Sequence, residues 1–220
     1  MKILDKFGIV PNDPKLYEMA FIHKSYGAKH QVNSDYERLE FLGDTVLSMF
    51  VSEYLYEKYE DKGEGGLTKL RSNYVCETAL ANYSHELGLT HMIKLELDES
   101  KVSINEMLSI SADIFESLLG AIYLDQGFET ARDFLIHTVF PAIDEEITFF
   151  SDFKSTIKEY GDANESLVEY SLIEEQGPPH DKTFIMGILI DGKEVGRGIG
   201  RSKKEAEQIA AQKAIKKLGI

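Results

Sequence analysis

The stretch Glu37-Arg-Leu-Glu40-Phe-Leu-Gly-Asp44-Thr-Val-Leu47 decides how the first part of the chain is read. At about 100° per residue, a helix brings Glu37, Glu40 and Asp44 within roughly 60° of one another. Leu39, Leu42, Val46, Met49 and Phe50 fall on the opposite side. The apolar face is complete without the acids, which form either a solvated acidic face or a binding site. Phe41 lies near the acids, outside the apolar stripe. Two readings of it stand together: contact with another part of the same domain, or an aromatic knob at a subunit interface, where such residues are enriched.

A second acidic pair sits far along the chain in Asp113-Ile-Phe-Glu116. Positions i and i+3 share a helix face. Ile114, Phe115, Leu118 and Ile122 point elsewhere, and Met107 to Leu124 is otherwise strongly apolar. Acids in such a helix need a partner, because an unpaired buried carboxylate is costly. Ser109, Ser117 and Gly120 are small neighbours that admit another helix or a substrate backbone. Two acidic faces without matching cations repel one another, and a divalent metal resolves the conflict. Mg²⁺ takes oxygen ligands from a few carboxylates, waters and phosphates. Such sites hydrolyse phosphodiesters.

Working outward, residues before 150 read as helices. Pro14–Tyr26, Ser34–Tyr59 (capped by Asn33 or Ser34), Leu67–Leu87, Glu106–Asp125 and Phe128–Ile147 are the predicted segments. Lys62-Gly-Glu-Gly-Gly66 is a breaker, Gly88 and Gly127 are stops, and Lys94–Asn105 reads as irregular. Beyond residue 150 the period changes. Phe153–Tyr160 is a short helix. Val168–Ile173, Phe184–Ile190 and Glu194–Gly200 are strands, with Asp191-Gly192 as a turn. Lys203–Leu218 is a closing helix. The fold class expected is an all-α domain followed by a small α+β domain of order α-β-β-β-α. The boundary falls between 148 and 152, giving domains 1–148 and 152–220.

Composition bounds the function. The 220 residues carry 43% hydrophobic and 28% charged side chains, which excludes general disorder. Cys76 is the sole cysteine, which excludes a disulfide framework and Cys-rich zinc sites. It reads as a buried structural thiol in a cytoplasmic protein. No apolar run approaches a membrane span, so no membrane partner is expected. His23, His30, His85 and His91 lack metal-ligand spacing and read as ordinary surface or core histidines. The net charge of −14 argues against a nucleic-acid partner until it is divided. Residues 1–150 carry −13 and residues 151–220 carry −1, while residues 193–220 carry +5.

That basic tail contains Ser202-Lys-Lys-Glu205, a capping box. Lys203 and Lys204 stand in the first helical turn, where the helix dipole disfavours cations. A phosphate resolves this, being attracted by both the lysines and the helix N-terminus. A solvated surface is the plain alternative. Gly196, Gly198 and Gly200 permit close backbone approach or shape a tight strand end. Gly177-Pro-Pro-His180-Asp-Lys182 is a rigid loop able to present His180 to a groove. Two loops and a helix give three contact points, which suits shape-reading of duplex RNA across successive minor grooves.

These residues resemble known families. Glu37–Leu47 is similar to the signature of bacterial ribonuclease III, and Ala112–Asp125 resembles that family's second acidic motif. Gly177–Phe184 and Gly198–Glu207 resemble a double-stranded RNA-binding domain. The resemblance spans nearly the whole chain in the family's order. It implies a homodimeric, Mg²⁺-dependent endonuclease of double-stranded RNA, with Mn²⁺ able to substitute and no organic cofactor. The implied products carry 5′-phosphates and staggered 3′ ends, and the implied role is ribosomal RNA maturation with some messenger RNA turnover.

By motif position, Glu40, Asp44, Asp113 and Glu116 are the implied metal ligands, with Asp44 and Glu116 catalytic. Glu37 and Glu64 match acids implicated in RNA handling. Ser155, Lys158, His180, Lys203 and Lys204 fall at RNA-contact positions. Phe41 matches an aromatic that enters the partner subunit. Thr45 stands where the signature usually has Ala, Lys158 where Gln is common, and Leu95–Asn105 lacks a Gly- and Arg-containing run; these bear on substrate preference. The rival readings are a non-cleaving duplex-RNA scaffold and a DNA nuclease.

Overall fold

A computed structural model describes residues 2–32, 34–96, 103–149, 153–178 and 182–219. The chain divides into two compact units, Met1–Phe150 and Ser151–Ile220.

Among its described residues the first unit is helical: α1 (Lys2–Asp5), α2 (Pro14–Met19), α3 (Lys24–His30), α4 (Glu37–Lys58), α5 (Glu64–Tyr74), α6 (Glu77–Leu87), α7 (Ile104–Gln126), α8 (Phe128–Ile136) and α9 (Phe140–Asp144), with a 3₁₀ turn at Leu89–Met92. The long pair α4 and α7 forms its centre. Leu39, Val46, Leu47, Phe50 and Val51 of α4 pack with Ile114, Phe115, Leu118, Leu119 and Ile122 of α7 in one core. Burying a side chain of this size contributes about 1.5–3 kcal/mol.

Several expected helices are divided. Pro14–Tyr26 breaks because the chain turns at Ala20–Phe21 and the buried Ile22 then bridges Lys94 in parallel. His23 then starts α3 by accepting from the Ser25 N–H at 3.1 Å. Leu67–Leu87 breaks at Val75–Cys76, and Cys76 precedes α6 in extended backbone. Phe128–Ile147 breaks before Phe140, where Pro141 takes an early position that needs no N–H donor. The glycine breaker instead opens α5, with Gly63 as its cap residue and Glu64 in its first turn. Helix α4 starts later than expected. Asp35 Oδ1 accepts from the Glu37 N–H at 3.1 Å, while Asn33 lies outside the described residues. Ser103 caps α7 by accepting from Glu106 N–H at 3.1 Å, and Gly127, at φ +83°, ends it as expected.

Two readings need correction. Cys76 is only half-buried, its thiol donating to the Asn73 carbonyl. Helix α7 is long and apolar enough to cross a membrane by length and composition, contrary to the expectation that no run approaches a span. It is the core helix of this unit, buried from Ile110 to Ile122 except at Asp113 and Glu116.

The second unit runs α10 (Phe153–Ala163), β1 (Val168–Gln176), β2 (Thr183–Ile190), β3 (Lys193–Gly200) and α11 (Lys203–Leu218). The sheet is antiparallel in the order β1-β2-β3, with a bulge between Leu172 and Glu174. The β2–β3 turn is Asp191-Gly192, both at positive φ, as a two-residue hairpin turn requires. Ile157, Ile188, Ala210, Ala211 and Ala214 form the core. Gly196 and Gly198 face α11, where a Cβ would overlap the carbonyls of Ala210 and Ala206. They seat an alanine-faced helix against β3 rather than open a path to a ligand. Ser202 caps α11 by accepting from Glu205 N–H at 3.1 Å, while Glu205 reaches to the Arg201 N–H, one residue beyond the expected box partner.

Candidate active site

Glycine sets the distance between the acidic helices. A Cβ on Gly43 would overlap the backbone of Glu116, and one on Gly120 would overlap the carbonyl of Leu39. α4 and α7 therefore meet backbone to backbone beside the acids. Glu40 and Asp44 are carried on one helix, Asp113 and Glu116 on the other. Asp44 is exposed and the other three are half-buried.

The electrostatics follow from this crowding. Glu116 is pushed up to about 8, first by burial and then by the charges of Asp44, Glu40 and Asp113. Glu40 is pushed up to about 7 by burial, Asp113 and Glu37, with Lys24 partly offsetting them. Burial also raises Asp113, against a hydrogen bond from Tyr36. The neighbouring cation Lys24 pairs with Glu37 at 3.2 Å, at the edge of the cluster. Both groups of that pair are largely exposed, so it contributes little.

The donor set fits a hard divalent cation: four carboxylates, oxygen ligands only, with uncompensated negative charge. Among the described residues, no three His, Cys, Asp or Glu side chains are already gathered as a metal shell. Mutual repulsion opposes such a gathering, and Mg²⁺ usually completes its shell with waters and phosphates.

The remaining predicted residues are dispersed. Phe41 is 78% exposed, so packing within its own domain does not account for it. Glu64 is exposed in the first turn of α5 and accepts from the Thr68 hydroxyl at 3.2 Å. Ser155 and Lys158 line a hollow of about 420 Å³ with Lys154, Asp162, Ser166 and Tyr170. Lys203 and Lys204 are exposed in the first turn of α11, and the Lys203 ammonium stands 5.9 Å from the centre of the Phe184 ring. His180 lies outside the described residues.

Sequence reasoning missed Gly43 and Tyr36. Gly43 carried a signal, since it interrupts the buried row Leu39–Gly43–Val46–Phe50. Tyr36 carried none, because its partner Asp113 is 77 residues away.

A family model described as ribonuclease-III-like matches residues 13–143, and the double-stranded RNA binding motif matches residues 153–218. The chain belongs to the ribonuclease III family. Among its relatives, the ribonuclease 3 of Lactiplantibacillus plantarum is 43% identical over 97% of this chain and 94% of its own length. The ribonuclease 3 of a Geobacillus species (strain WCH70) is 43% identical over 97% of this chain and 88% of its own. The nuclease domain of ribonuclease III from Campylobacter jejuni aligns with a TM-score of 0.58 at 34% identity, covering 64% of this chain and 95% of that one. The chain is thus an endoribonuclease with a helical nuclease domain and a C-terminal domain of the double-stranded RNA-binding kind.

Proposed function

We propose that the protein is a Mg²⁺-dependent endonuclease of double-stranded RNA that acts at the α4–α7 acid cluster. One observation carries this: glycine contacts bring α4 and α7 backbone to backbone beside four carboxylates, where burial first and the neighbouring acids second push Glu116 up to about 8. A fold gains nothing from such repulsion, so the cluster is kept for a ligand that relieves it. Glu40, Asp44, Asp113 and Glu116 would hold the cation. Bound there, a divalent ion offsets the negative charge that builds on the phosphoryl group.

The side chains do the rest. With a cation held there, Glu40 and Glu116 would stand ionised, and Glu116 and Asp44 would orient water and phosphate as the catalytic pair. Water forms the new phosphorus–oxygen bond as the bond to the 3′ oxygen breaks, the water losing one proton and the departing 3′ oxygen gaining one. The products carry a 5′-phosphate and a 3′-hydroxyl, staggered between strands. No covalent enzyme intermediate is needed.

We assign residues 1–148 to the nuclease domain and residues 152–220 to the RNA-binding domain. Ser155, Lys158, His180, Lys203 and Lys204 meet the duplex, the last two aided by the N-terminus of α11. Glu37 and Glu64 handle RNA beside the site. The exposed Phe41 ring supports a homodimer, because a large aromatic in water is a natural interface anchor. The Campylobacter relative's structure is likewise described by a region involved in dimer formation. We place the enzyme in the cytoplasm, maturing ribosomal RNA precursors and turning over messenger RNA, with Mn²⁺ able to replace Mg²⁺.

The test is an end-labelled RNA duplex incubated with EDTA-treated protein, with and without added Mg²⁺, beside a DNA duplex of the same sequence. Short staggered RNA products with 5′-phosphates, only on adding Mg²⁺, are expected. Cleavage in EDTA, or equal cutting of DNA, would contradict the reading.

A further inference from the structure

Tyr36 lies outside the acidic motif it precedes, yet it touches the site. The residue is 3% exposed. Its backbone is fixed on both sides. Its N–H donates to the Ile22 carbonyl at 3.0 Å, and its carbonyl accepts from the N–H groups of Leu39 and Glu40, each at 2.9 Å. Its ring centre lies 5.8 Å from that of the buried His23. The hydroxyl then donates to Asp113 Oδ2 at 2.9 Å. Held this way, a stiff side chain with two torsions carries the position of the α4 start across to a carboxylate on α7.

A carboxylate has two acceptor oxygens. With Oδ2 engaged by Tyr36, the group is restrained from turning about its Cβ–Cγ bond, and Oδ1 remains for a cation. Ser117 braces the same junction through backbone. Its hydroxyl donates to the Asp113 carbonyl at 2.7 Å and lies 3.4 Å from the Tyr36 carbonyl.

We propose that Tyr36 is a positioning residue for the acid cluster, its hydroxyl holding the Asp113 carboxylate ready to ligate a divalent cation. This rests on the reading of Glu40, Asp44, Asp113 and Glu116 as a cation site. Partners of this kind spare a ligand the entropy of being ordered on binding, and losing one typically weakens metal affinity by about 10–100-fold. Tyr36 is buried and acts through Asp113.

The test compares the full-length wild type with Tyr36→Phe and Asp113→Asn. Mn²⁺ binding is followed by electron paramagnetic resonance, the melting temperature is taken without metal, and cleavage is measured against Mg²⁺ concentration. Tyr36→Phe keeps the ring against His23 and removes only the hydroxyl. It is expected to bind Mn²⁺ about 10-fold more weakly and to need about 10-fold more Mg²⁺ for half-maximal cleavage. Its rate at saturating Mg²⁺ should approach the wild type's.

A lowered melting temperature with Mn²⁺ affinity unchanged would make Tyr36 purely structural and overturn the proposal. In that case Asp113→Asn still weakens binding, so the cation site itself survives. If the wild type binds no Mn²⁺, the cation reading fails and the proposal falls with it.

Discussion

Both units of this chain bring a helix against a neighbouring backbone through glycine, and they use the closeness for opposite ends. At β3 and α11, Gly196 and Gly198 admit a helix faced with Ala206, Ala210 and Ala214, and the contact is apolar. At α4 and α7, Gly43 and Gly120 admit a helix that carries carboxylates toward other carboxylates. The first contact stabilises its unit. The second works against it, because the half-buried Glu40, Asp113 and Glu116 resist ionising. The cations of the second unit are held differently: Lys203 and Lys204 sit in water at a helix start, where their cost is small. The electrostatic cost is thus concentrated at the acid cluster, and the lysines at the start of α11 are solvated.

The comparison is broken most severely at the acids themselves. Asp44→Asn is expected to lower single-turnover cleavage by more than about 100-fold, since a ligand counts for at least as much as its supporting partners. Gel-shift affinity for duplex RNA should stay unchanged. Next come the glycines. Gly43→Ala should destabilise the first unit by about 1–3 kcal/mol, as overpacking does, and depress cleavage. Gly198→Ala should cost a similar amount in the second unit and weaken duplex binding instead. Thermal melting alongside both assays separates the two.

Smaller still is the loss of the tail cations. Replacing Lys203 and Lys204 together with alanine should weaken duplex affinity and reduce the salt slope by about 2, near one per phosphate contact. Cleavage of saturating RNA should change little.

A last prediction sharpens the comparison through pH. Glu116 is pushed up to about 8 in the folded chain, and an unfolded carboxyl titrates in its ordinary range. Above that range the unfolded state ionises first. Metal-free stability therefore falls as pH rises from near 4.5 toward 8. Glu116→Gln should melt higher than wild type at pH 8 without metal, and the difference should vanish near pH 4.5.

Much of this was legible in the chain. The acidic faces followed from i, i+3 and i+4 spacing, and the hairpin followed from Asp191-Gly192 between alternating runs. The helix breaks at Phe21–Ile22 and Val75–Cys76 were not legible. Each depends on what the segment meets elsewhere, as with Ile22 against Lys94. The tyrosine before the signature was silent for the same reason, its partner being distant in sequence. Gly43 was legible in principle, as a glycine in a buried row. The role of the tail glycines Gly196 and Gly198 was not legible either, because spacing shows a vacancy without its occupant, which is α11.

The most direct measurement places wild type and Glu116→Gln side by side on one labelled RNA duplex in Mg²⁺, reading cleavage and gel shift from the same samples. Cleavage lost in the variant with the shifted complex intact is the expected result, and it ties the reaction to the α4–α7 cluster. Equal cleavage by both proteins would contradict that assignment.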